Sequence, residues 1–225
     1  MKSDTVFSTS SLQAYLSLVF LGGIALALSI QPSTRIAALR ASDVSYPPGL
    51  FHISLVFFFG VFAINRGAVL AANTPARLSH TKLILRFLEH IAYGLLLFSP
   101  YLLFSRSLVS SGTISLIALV LYVVVSSLFF CLGSLRLEQR SDHWKQGAFL
   151  LRYGSFFAFN LVPFGVGFSH PSLSFFLSAS PVGFASRLIG GASALEVLTG
   201  FLVPILGILW LLTRRQRFDR RPHAV

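Results

Sequence analysis

Six long apolar segments most strongly constrain how this chain can fold. They lie near residues 12–30, 50–64, 87–104, 108–135, 147–168 and 192–213. A helix needs about 20 apolar residues to cross a hydrocarbon layer about 30 Å thick. The chain is 54% hydrophobic and 11% charged, whereas soluble domains carry about 25% charged residues. The sequence therefore predicts an all-α integral membrane protein with six transmembrane helices in one domain, 1–213, and a basic tail, 214–225.

The positions of lysine and arginine predict the orientation of these helices. Of the 18 such residues, only Arg35, Arg40, Arg106 and Arg187 fall on the side that does not hold the N-terminus. Cytoplasmic loops of membrane proteins are enriched in lysine and arginine. We therefore expect both termini and the 66–86 loop in the cytoplasm.

The segment before the last helix, 169–191, is apolar but interrupted by Pro171 and Pro181. Each piece is too short to cross a bilayer. Irregular backbone at membrane depth must be covered by protein or line a watery cavity. A re-entrant helical hairpin would satisfy that requirement, and an amphipathic loop on the surface is the alternative.

The 66–86 loop contains a helix stop followed by a helix restart. It carries Arg66, Arg77, Lys82 and Arg86 and no acidic residue. Pro75 disfavours helix at Thr74 but suits the first position of a new helix. We expect a short surface helix ending at Asn73, then a break, then a helix that continues into the third span. By itself this pattern is also that of an ordinary basic loop.

The sequence carries few signs of chemistry of its own. It has no Gly-x-x-x-x-Gly-Lys-Ser/Thr motif for nucleotide phosphates, and its histidines show no i,i+4 pairing beside a carboxylate. Cys131 is the only cysteine. We expect no catalytic residue, no metal site and no cofactor in this chain. Positive charge is confined to loops and the tail, so no nucleic-acid partner is predicted.

A few polar residues fall within the apolar segments. Glu89, Arg152 and Glu196 lie near segment ends, where the charged groups can reach the interface or stabilise a helix end. Asn160 and the prolines 100, 163 and 204 remain as candidates for a functional interior.

Three features together resemble the membrane subunit of a type-2 ABC exporter. The Thr74-Pro75-Ala76-Arg77 sequence with Lys82 is similar to that family's cytoplasmic loop between its second and third spans. Ser180-Pro181, Arg187 and Gly190-Gly191 resemble an Asn-Pro…Arg-Gly stretch before its last span. The sixth apolar segment also ends in a cluster of arginines, as in the family.

The resemblance implies an ATP-driven permease in a bacterial plasma (inner) membrane. Two permease chains, identical or related, would pair within the lipid and bind separate ABC ATPase subunits that use ATP and magnesium. The residues implied in ATPase coupling are Arg66, Asn73, Thr74, Pro75, Arg77 and Lys82. Those implied in an outer gate are Pro171, Pro181, Arg187, Gly190 and Gly191.

Two departures from the family pattern leave the subfamily and the substrate open. Val69 and Leu70 stand where the family usually has Gly-Thr-Leu, and Ser180 replaces the expected asparagine. A non-transporting membrane scaffold, which assembles a partner complex through the same basic loops, is the alternative function.

Overall fold

The computed structural model describes residues 9–29, 50–73, 80–108, 113–140, 145–169, 176–190 and 192–216. Within these ranges the chain is helical and contains no β-strand. The helices are α1 (Thr9–Ser29), α2 (Leu50–Asn73), α3 (His80–Leu108), α4 (Thr113–Arg140), α5 (Lys145–Ser169), α6 (Pro181–Gly190) and α7 (Ala194–Gln216).

Six of these helices are long and apolar enough to cross a membrane. Their apolar parts are 19 to 25 residues long and belong to every described helix except α6. The predicted all-α, six-span fold is therefore confirmed, and the composition of these helices indicates an integral membrane protein.

The boundaries of the second and third spans differ from the prediction. The second was expected to end at residue 64, followed by a separate surface helix, but α2 runs without interruption to Asn73. Arginine, alanine and leucine are good helix formers, and a single glycine, Gly67, does not end a helix. The third helix begins at His80 and continues to Leu108, past the expected boundaries at both ends.

Helix α2 lies at the centre of the bundle, and its most extensive contact is with α4. Small residues allow the two backbones to approach closely. A Cβ atom added to Gly67 would overlap the carbonyl oxygen of Cys131, and the Ser134 hydroxyl donates to the Ile64 carbonyl at 2.7 Å. Between helices in lipid, such packing and hydrogen bonding replace the hydrophobic effect as the source of association.

Phenylalanine rings fill the space between α2 and its other neighbours. On one side, Phe59 contacts Phe98 of α3 with a centroid distance of 5.7 Å. On the other side, Phe57 lies 5.2 Å from Phe156 of α5. Large apolar side chains on the outer faces of α1, α5 and α7 are exposed in the isolated chain, as expected for surfaces that contact lipid.

The short helix α6 is inserted into the bundle, where it packs against α2, α4, α5 and α7. Its Phe184 is fully buried. The ring centroids of Phe184 and Tyr122 of α4 are 4.2 Å apart, with the ring planes tilted by 36°. Tyr122 lies about 14 Å along α4 from Thr113, at 1.5 Å per residue. The segment before the last span therefore reaches well into the bundle, as a re-entrant element does. The first part of the expected hairpin, around Pro171, lies outside the described residues.

The close α2–α4 contact predicts that Gly67→Leu destabilises the fold. The added side chain must displace the backbone of α4, and overpacking of this kind costs about 1–3 kcal/mol. Gly154→Leu on α5 is the matched control, because a Cβ atom there would meet nothing within 4 Å. Thermal unfolding midpoints in detergent should fall for the first variant and not for the second. Equal midpoints would show that the two helices are less tightly packed than described.

Candidate functional site

The antiparallel order of the helices gives the bundle two chemically different ends. The basic end holds the start of α1, the end of α2, the start of α3 and the end of α4. The α6 end holds α6 together with the start of α2 and the start of α7. Contacts between the start of α1 and the end of α2, and between the ends of α4 and α7, fix this arrangement.

Arg66 is buried at the basic end, not exposed in a loop as predicted. Its side chain is 3% exposed, and its guanidinium donates to the Ser11 hydroxyl at 2.9 Å and to the Ser10 carbonyl at 2.8 Å. It also lies over the ring of Phe62 at 5.7 Å. Arg66 therefore joins α2 to the start of α1 and is not available as a surface contact for a partner.

A second buried polar pair lies near Arg66. The Tyr15 hydroxyl of α1 and Nδ1 of His90 in α3 are 2.6 Å apart, and both side chains are buried. Nothing in the local sequence indicates this pair, because its two residues lie 75 positions apart. The pair and Arg66 connect α1, α2 and α3 through hydrogen bonds.

The exposed charge at the basic end comes from the start of α3. Lys82 and Arg86 are both exposed in the first two turns of this helix. Asn73 is the last residue of α2, so the end of α2 and the start of α3 flank residues 74–79. Thr74, Pro75 and Arg77 lie outside the described residues, and their predicted role in coupling stays a prediction.

At the α6 end, the local sequence accounts for the position and length of α6. Pro181 occupies the first helical position, and the Ser180 hydroxyl accepts a hydrogen bond from the backbone N–H of Gly183 at 2.9 Å. This is the usual N-terminal capping arrangement. Gly190 is the last residue of the helix. Pro171 and Gly191, the other residues expected at the gate, lie outside the described residues.

Arg187 connects α6 to the start of α7. Its Nε atom lies 3.4 Å from a carboxylate oxygen of Glu196. The other carboxylate oxygen accepts hydrogen bonds from the backbone N–H and the hydroxyl of Ser193, both at 2.9 Å. Ser193 and Glu196 thus form a capping box, which confirms the expected role of Glu196 as a helix-end residue.

Four buried polar atoms near α6 have no hydrogen-bond partner within the described part of the chain. Each belongs to a helix that packs against α6 or to the turn that leads into α6. The atoms are Nδ1 of His52 in α2, the hydroxyl of Tyr122 in α4, Oδ1 of Asn160 in α5 and Oγ of Ser178. We refer to these four residues as the polar set.

The polar set is unusual because buried polar groups are nearly always paired. Leaving one unpaired costs about 1–3 kcal/mol. Tyr122 and Asn160 each lie nine residues from the helix terminus at the α6 end. Asn160 was singled out from the sequence, whereas His52, which is 2% exposed, was not. Tyr122 and Ser178 gave no sequence signal, since either could have been ordinary packing residues.

The remaining polar candidates do not come together. Glu89 lies in the third turn of α3, towards the basic end, whereas Glu196 is in the first turn of α7 at the opposite end. Among the described residues, no three histidine, cysteine, aspartate or glutamate side chains are grouped closely enough to hold a metal ion.

Comparison with protein-family models, with curated proteins and with solved structures found no match to this chain.

The polar set predicts opposite effects for two tyrosine substitutions. Tyr122→Phe removes a hydroxyl that has no hydrogen-bond partner among the described residues, so the free energy of unfolding should stay unchanged or rise by up to about 1 kcal/mol. Tyr15→Phe removes a hydroxyl bonded to His90 and should lower it by about 1 kcal/mol. Thermal unfolding in detergent distinguishes the two. A larger loss for Tyr122→Phe would mean that its hydroxyl is hydrogen-bonded, and Tyr122 would leave the polar set.

Proposed function

We propose that this chain is the permease subunit of an ATP-driven ABC exporter in a bacterial plasma membrane. The observation that carries the proposal is α6, a short helix between the last two spans, packed against helices that hold buried polar atoms with no hydrogen-bond partner in the described part of the chain. ATP and magnesium are used by separate ABC ATPase subunits. A second permease chain, identical or related, completes the translocation path.

The polar set favours a transporter over a scaffold. A scaffold needs only packed helices, and apolar residues at these four positions would pack at lower cost. A path that opens beside α6 exposes the same atoms to water or to a polar substrate, which then supplies the missing hydrogen bonds. Polar groups inside membrane proteins commonly mark such paths. Pro181, Arg187 and Gly190 then belong to the gate because they set the start, the attachment to α7 and the end of α6.

Helix α2 is the element that connects this gate to the cytoplasm. It packs against α6, starts at Leu50, two residues before His52, and ends at Asn73, immediately before residues 74–79. Its 24 residues cover about 36 Å at 1.5 Å per residue. Movement of an ATPase against residues 74–86 therefore reaches α6 through α2, whereas α3 makes no direct contact with α6. Arg66 is removed from the proposed coupling residues because it is buried, and Arg86 is added. The others remain: Asn73, Thr74, Pro75, Arg77 and Lys82.

The docking surface is tested by reversing the exposed charge at the start of α3. In the double variant Lys82→Glu/Arg86→Glu, co-purification of the ATPase should fall about tenfold or more, because like charges facing each other across an interface cost several kcal/mol. The readout is the molar ratio of a P-loop ATPase, identified by mass spectrometry, to this chain after purification in mild detergent.

Arg106→Glu is the matched control, because position 106 lies near the opposite end of the same helix, α3. The control should retain the ATPase at the wild-type ratio. Retention by the double variant would overturn the docking surface. If the wild-type chain purifies with no ATPase at all, the exporter assignment fails and the scaffold function takes its place.

A further inference from the structure

A groove between α4 and α5 has no role in the function proposed above. Its volume is about 150 Å³, and it extends along α4 from Phe129 to Leu137. Eight residues of helix correspond to about 12 Å. The groove is therefore long and narrow, with its long direction parallel to the helices.

The interior of the groove is apolar. Phe129, Phe130 and Phe159 close its deep end, with ring centroids 5.5 Å and 5.8 Å apart across the two helices. The hydroxyls that line it are already engaged: Ser134 donates to the Ile64 carbonyl and Ser155 to the Arg152 carbonyl. Water needs two to four polar partners to occupy a cavity, so this lining favours hydrocarbon.

The end of the groove nearest the basic end of the bundle is charged. Arg152 lines the groove there and forms an ion pair of 2.7 Å with Glu138. The groove thus changes from a charged ion pair to apolar side chains along its length, in the same direction as a phospholipid changes from its headgroup to its acyl chains.

We propose that the groove binds one acyl chain of a phospholipid from the leaflet at the basic end, with the phosphate beside Arg152. An empty space of this size would leave its walls without van der Waals partners, and in a bilayer the material available to occupy it is lipid hydrocarbon. Since the acyl chain leaves one apolar environment for another, the hydrophobic effect contributes little. The lipid is held by packing of the acyl chain against the three rings and by a charge-assisted contact between the phosphate and Arg152. The inference does not depend on the proposed transport function.

Gly133 provides the test, because it lines the groove and a Cβ atom there would meet nothing within 4 Å. Gly133→Leu therefore fills the groove without displacing a neighbour. Gly154→Leu is the matched control, since its Cβ also meets nothing within 4 Å but it does not line the groove. The probe is a phosphatidylglycerol with a photoactivatable group near the middle of one acyl chain, in nanodiscs of phosphatidylcholine.

After irradiation, digestion and mass spectrometry, wild type and Gly154→Leu should carry adducts on peptides containing 129–137 and 152–159. In Gly133→Leu these adducts should fall about fivefold or more, because protein then occupies the volume of the chain segment. Ser155→Phe, which fills the groove from α5, provides a second variant if Gly133→Leu does not fold. Equal labelling in filled and control variants, or labelling spread evenly over the exposed faces of α1 and α7, would overturn the proposal.

The charged end is tested with Glu138→Gln/Arg152→Gln, which replaces the ion pair by a neutral pair of similar shape. Groove labelling by the phosphatidylglycerol probe should fall about threefold or more, because the charge-assisted contact with the phosphate is lost. Labelling by a phosphatidylcholine probe with the same acyl chain should fall by a similar factor, since it carries the same phosphate. If neither probe is affected, Arg152 does not contact the phosphate, and the placement of the headgroup is wrong.

Discussion

The close contact between α2 and α4 is the constraint on which the rest of the structure depends. Helices in lipid gain no hydrophobic free energy by meeting each other, so a pair must be held by backbone approach and hydrogen bonds. Gly67 against the Cys131 carbonyl and Ser134 bonded to Ile64 supply both. The other faces of α2 then place α1 through Arg66, α3 through Phe59 and α5 through Phe57.

The polar residues divide into two groups that correspond to the two ends of the bundle. Towards the basic end they are paired: Arg66 with Ser10 and Ser11, and Tyr15 with His90. Around α6, four buried atoms of the polar set have no hydrogen-bond partner among the described residues. Paired groups fix one arrangement, because breaking them is costly. Buried groups without a partner raise the free energy of the arrangement that buries them. The proposed gate therefore lies at the end where the described polar groups are less completely paired.

The spans could be predicted from the sequence because each apolar segment is by itself about long enough to cross the bilayer. The end of α2 could not be predicted. The charge of Arg66 suggests that the helix leaves the membrane there, but Arg66 is buried by its hydrogen bonds to α1. Those bonds join residues 55 and 56 positions apart. The contact between the rings of Phe184 and Tyr122, which places α6 inside the bundle, likewise joins residues that are far apart in the sequence. The local pattern located the break at Pro181, where α6 begins, but not the neighbours that bury the helix.

Helix α5 connects the groove to the α6 end. It is the least buried of the six apolar helices, and its Phe156 packs against Phe57 of α2 and Phe130 of α4. Phe159 lines the groove, and the next residue, Asn160, belongs to the polar set. An acyl chain bound in the proposed groove against Phe159 favours one position of α5 and, with it, one environment for Asn160. If the proposed opening at α6 moves α5, it changes the affinity of the groove for the acyl chain. By linkage, the bound acyl chain then shifts the equilibrium of opening by the same factor.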